Sequence, residues 1–118
     1  MSNYDLEERL TEFAVQIVKL TDNMPNSRSG NHMASQLLRS GTSPALNYGE
    51  AQSSESRRDF IHKMKIILKE LRETLINLKI ILRTNIYKKT SDIETLITEC
   101  NELISIFVAS VKTAEKNR

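Results

Sequence analysis

A chain of 118 residues with 17 Lys or Arg, 15 Asp or Glu and no Trp can bury one domain core of its own. Three Gly and two Pro argue against a many-turned β fold and exclude a Gly-rich phosphate loop, one Cys excludes an internal disulfide, and apolar runs of three or four residues are far too short for a membrane span. The net charge of +2 is unevenly spread: residues 54–90 carry ten Lys or Arg against Glu55, Asp59, Glu70 and Glu73, a net of +6, whereas residues 1–26 carry a net of −3. A local field of this kind steers a partner more than the total does.

The opening stretch, MSNYDLEERLTEF, is acidic and has no apolar centre, which reads as no signal peptide; with the single cysteine it suggests a cytoplasmic location. A first helix is expected over residues 5–22, because Leu6, Leu10, Phe13, Ile17 and Leu20 recur three and four apart and acids gather near its positive end. Asn23, Pro25, Asn26, Ser27 and Gly30 then form a breaker-rich loop. The second helix, residues 30–52, has a thinner apolar side made of Met33, Leu37, Leu38, Ala45, Leu46 and Tyr48. Pro44 removes one backbone hydrogen bond and crowds the carbonyl of Ser40, so a bend is expected at 40–44, with the helix resuming beyond it. A full break there would give two short helices instead.

The third helix, residues 57–84, opens on Ser56 and Asp59, which are spaced as a capping box. Its seam is Phe60, Met64, Ile67, Leu71, Leu75, Leu78 and Leu82, and isoleucines at 61, 66, 76, 80 and 81 spread apolar surface over more than one face, a hint of self-association. Ser91 and Glu94 are spaced as a second capping box and open a fourth helix over 92–114, with Ile93, Leu96, Cys100, Leu103, Phe107 and Val111 on one stripe and a fraying tail after it. Four amphipathic helices with short connections make an all-α, up-down-up-down antiparallel bundle, one domain over residues 1–118.

Two rows of residues exceed what core packing requires. Gln36, Ser40, Ser43, Asn47 and Glu50 line one face of the second helix, and Arg58, His62, Lys65, Lys69 and Arg72 line one face of the third, continuing to Lys79 and Arg83. The polar row reads either as a hydrogen-bonded network at a helix interface, with Glu50 on a base of the third helix, or as a recognition surface. Small residues at 34, 41, 45 and 49 would let another helix approach it. The basic row reads either as a solvated face, partly neutralised by acids such as Glu73 near Lys69, or as a phosphate-binding face. Residues 58 to 72 would span about 21 Å, enough for several phosphates of a nucleic-acid backbone, with no base readout implied. Cys100 lies in an apolar stripe and reads as a core thiol, and His32 and His62 stand on different helices without metal-ligand spacing. No metal, no cofactor and no catalytic residue is expected.

Residues 36–51, QLLRSGTSPALNYGEA, and 56–78, SRRDFIHKMKIILKELRETLINL, resemble the four-helix-bundle family of 23S rRNA intervening-sequence proteins, and LEERLTEFAVQIVKL fits that family's first helix. Asn77 departs from it, since relatives commonly place Trp there. The resemblance implies a bacterial protein and a ring-shaped homopentamer. It also implies kinship with the basic accessory proteins of diversity-generating retroelements, which engage nucleic acid and a reverse transcriptase. It implies no established molecular activity. The expectation is therefore a non-enzymatic homo-oligomer binding RNA or DNA through Arg57, Arg58, Lys65, Lys69, Arg72, Lys79 and Arg83. The alternative is a scaffold or accessory subunit whose basic face docks an acidic partner protein. Neither reading involves a membrane.

Overall fold

The computed structural model describes residues 3–117, which form four helices: α1 (Asn3–Asp22), α2 (Arg28–Gln52), α3 (Arg57–Thr84) and α4 (Thr90–Lys116). There is no β-strand among the described residues. Consecutive helices pack side by side, and the thinner α1–α4 contact closes the square into a rod of 46 × 21 × 20 Å. The directions alternate. Glu50 near the end of α2 meets Lys63 near the start of α3, and Lys65 near the start of α3 meets Glu115 at the end of α4.

The helix ends follow local chemistry. At the start of α2 the Ser27 hydroxyl accepts the Gly30 N–H at 3.0 Å. Gly30 lies inside the first turn rather than in the preceding loop, and a Cβ there would stand 2.2 Å from the Pro25 carbonyl oxygen. Ser56 caps α3 as its spacing suggests, accepting the Asp59 N–H at 3.0 Å. That helix ends where Asn85 turns left-handed at φ 58°. The second capping box does not form: α4 begins at Thr90 behind Lys89, with no side-chain cap, which leaves Ser91 within its first turn. Nor does its tail fray after residue 114, since Lys116 is still helical, while Arg118 lies outside the described residues.

The helix α2 passes unbroken through Pro44, whose ring is fully buried. Gly41 lets α1 and α2 approach, since a Cβ there would stand 2.8 Å from two carbons of Ile17. A Cβ on Gly49 would meet nothing within 4 Å, so that glycine serves no close contact within the bundle. The centre of the rod is Leu10, Ile17, Leu37, Ile67, Leu71, Leu78, Ile93, Leu103 and Phe107, all fully buried. Tyr48 packs edge-on against Phe107 at 5.9 Å, which joins α2 to α4 diagonally through the core near one end of the rod.

The apolar seams depart from expectation in two helices. On α2, Leu38 and Leu46 face solvent, Leu46 at 68% exposure. On α3, Ile61 and Ile81 are buried while Phe60, Leu75 and Leu82 are only half so, and Ile76 and Ile80 are exposed. Both helices have apolar residues around more than one side, so spacing alone cannot tell which side meets the core.

Candidate nucleic-acid interface

The two rows of α2 and α3 occupy different environments. The polar row faces α3 and divides into three local groups. Ser40 is fully buried, with its Oγ 3.0 Å from Thr74 Oγ1 and accepting from Asn77 Nδ2 at 3.2 Å. Thr74 donates on to the Glu70 carbonyl at 2.8 Å. Asn47 bonds within its own turn, donating Nδ2 to Ser43 Oγ and to the Ser43 carbonyl. Gln36 accepts from Arg39, and Glu50, mostly exposed, pairs with Lys63 at 2.9 Å, which raises the lysine's pKa. Asn77 is thus a polar donor to Ser40 at the α2–α3 contact.

Arg39, absent from the sequence reading as a site residue, organises this side of the bundle. Its guanidinium bonds Glu70 and Glu73 of α3 together, and the hydrogen bond it donates to Glu73, the foremost cause, raises its pKa. Glu70 is buried and otherwise has no charged partner among the described residues. The consequence falls on the basic row. Glu73 turns to α2 instead of neutralising Lys69 four residues earlier, and Glu50 is taken by Lys63, which is not in the row. Glu70, Glu73, Thr74 and Asn77 all reach residues of α2 from one flank of α3.

Arg58, His62, Lys65, Lys69, Arg72 and Arg83 all lie exposed on the outward side of α3. Lys65 pairs with Glu115 at 2.9 Å, both side chains about half exposed, a contact worth little in water. Among the described residues Arg58, Lys69, Arg72 and Arg83 have no ion-pair partner within 4.0 Å. Lys79 is half-exposed at the edge of the row. Arg57 is not part of it: it turns toward α4 and lines an end cleft of about 540 Å³ with Leu6, Tyr48, Phe60 and Met64. The row is not wholly charged either, because Ile76 and Ile80 interrupt it at 59% and 43% exposure.

Elsewhere the structure offers little chemistry. Cys100 is fully buried, its thiol 3.2 Å from the Leu71 carbonyl, and burial pushes its pKa up to about 12. No group of three or more His, Cys, Asp or Glu among the described residues could hold a metal ion, and no helix is long and apolar enough to cross a membrane.

A sequence model of the 23S rRNA-intervening sequence protein family matches residues 3–109. The chain belongs to that family. A solved structure, a protein with unknown function from the S23 ribosomal protein family of Bacteroides thetaiotaomicron VPI-5482, superposes with a TM-score of 0.85 at 34% identity, covering 95% of this chain and 99% of that one. No curated protein matches the chain. For this member of the 23S rRNA-intervening sequence protein family, the comparisons therefore establish family and fold. The solved relative, itself of unknown function, names no substrate or partner.

Proposed function

We propose that this protein is a non-enzymatic, homo-oligomeric helical bundle that binds the phosphate backbone of RNA or other nucleic acid through the outward side of α3, with Arg58, Lys65, Lys69, Arg72 and Arg83 as the contacts. By the family resemblance the assembly is a ring of five. The observation that carries the reading is the unneutralised row: Arg39 and Lys63 engage the nearby carboxylates, and four of the bases have no partner among the described residues. Such bases exchange counterions for phosphates without reading sequence.

The test is a salt titration of mixed-sequence RNA binding on nuclease-treated protein. Three phosphates neutralised per subunit give a slope of log affinity against log salt of about −2 for single strands. Lys65→Glu with Arg72→Glu should abolish most of that dependence and leave the fold intact, both side chains being exposed. If the double variant binds RNA like the parent, the row is a solvated face or docks an acidic protein.

A further inference from the structure

The bundle is electrically lopsided, and its two charged edges match each other in spacing. The outward side of α1 presents Glu8, Glu12 and Asp22, all exposed, with Val15 and Val18 exposed between them. Among the described residues these three carboxylates have no ion pair, and Glu12 only accepts from Gln16 at 2.9 Å. The helix α3 stands at the opposite corner of the square, since it has no direct packing with α1.

The two edges share one level scale. Leu6 of α1, Tyr48 of α2 and Met64 of α3 line one cleft at one end of the rod. Further along, Ile17 packs on Gly41, next to Ser40, which lies against Thr74. The helices α1 and α3 therefore run in the same direction, with Leu6 near the level of Met64 and Ile17 near that of Thr74. Counting from those contacts, Glu8 stands within about one residue's rise of Lys65, Glu12 of Lys69 and Asp22 of Lys79. The intervening positions set Val15 beside Arg72 and Lys19, the one base on the outward side of α1, beside Ile76. Nowhere along this register do like charges stand opposite each other.

We infer that a second copy of this chain docks its α1 edge along the α3 edge of the first, parallel and at the same height, so that Glu8, Glu12 and Asp22 face Lys65, Lys69 and Lys79. The exposed Val15, Val18, Ile76 and Ile80 add apolar area along the same seam. The contact is heterologous, using two different surfaces, so it propagates from copy to copy and either closes into a ring or continues as a filament. It rests on the self-association in the proposed function and not on nucleic-acid binding. Lys65 and Lys69 serve in both, so RNA and a neighbouring copy compete for them. Because the contact is largely between exposed charges, it weakens as salt shortens the screening length from about 10 Å at 0.1 M to about 3 Å at 1 M.

The experiment reverses each edge separately in nuclease-treated full-length protein: Glu8→Lys with Glu12→Lys on α1, and Lys65→Glu with Lys69→Glu on α3. Light scattering at micromolar concentration and low salt should give an oligomer for the parent. Each reversed protein alone should give the monomer mass of 13.5 kDa. An equimolar mixture of the two should regain a mass at least twice that, because each reversed edge then faces a complementary one. Circular dichroism confirms that both variants are folded. A monomeric parent, either reversed protein assembling like the parent, or a mixture that stays monomeric overturns the inference. RNA binding of the α3 variant is read in parallel. Lost RNA affinity with unchanged mass would sink the docking and leave the phosphate reading, and lost mass with parental RNA affinity would do the reverse.

Discussion

Ser40→Ala tests the physical account of the α2–α3 contact most directly. A hydroxyl has one hydrogen, and Thr74 spends its own on the Glu70 carbonyl at 2.8 Å, so the 3.0 Å approach of Ser40 is satisfied when Ser40 donates to Thr74. Asn77 then donates to Ser40, and the three side chains form one chain of hydrogen bonds ending on a backbone carbonyl. Removing the middle hydroxyl leaves Thr74 with its carbonyl partner but takes the acceptor from Asn77 and opens a gap where Ser40 is fully buried. The cost should be about 1–3 kcal/mol, the usual penalty for a stranded buried polar group. Urea denaturation should show a lower midpoint at unchanged slope. Asn47→Ala and Glu50→Ala provide the contrast. The first loses bonds within its own turn and the second an exposed ion pair, so each should cost no more than about 1 kcal/mol. A triple change, Ser40→Ala with Thr74→Val and Asn77→Leu, removes donors and acceptors together and should recover part of the loss. If Ser40→Ala leaves the midpoint where it was, or costs no more than Glu50→Ala, the buried chain of hydrogen bonds does not hold α2 to α3.

Three further outcomes follow from single sites. Cys100 should resist thiol reagents in the native protein and react only at the rate of unfolding; because its folded pKa is raised above the usual thiol value, its contribution is complete below about pH 9 and is lost as pH rises toward 12, at up to about 1.4 kcal/mol per unit, a loss that Cys100→Ala should remove in a pH series of denaturation curves. Gly30→Ala should destabilise by about 1–3 kcal/mol despite alanine's better helix propensity, because the new methyl meets the Pro25 carbonyl, and an unchanged thermal midpoint would contradict that geometry. Asn85→Gly should raise stability by up to about 1 kcal/mol and Asn85→Ala should lower it, since the residue holds the left-handed turn that ends α3.

Helical period was enough to place α1, α3 and α4, because Leu6 to Leu20, Met64 to Leu78 and Ile93 to Val111 repeat at a spacing only a helix turns to one side. The serine before α3 was legible for a similar reason: a cap is a contact between residues three apart. Where a local signal competed with packing, it could fail: Ser91 has cap spacing, yet the chain enters α4 two residues earlier, behind Lys89. The helix α2 continues past Pro44, as a helix that resumes beyond its proline should. The basic row could be read as a row from its spacing alone. Whether it was neutralised could not, because that depends on which way Glu70 and Glu73 turn. Arg39 and Glu73 are distant in sequence and meet only once α2 lies against α3. The match between the α1 and α3 edges has the same origin. Each row is written in its own helix, but their relative height exists only after Gly41 settles on Ile17 and Ser40 against Thr74, because those two contacts fix how far each helix slides along its neighbour.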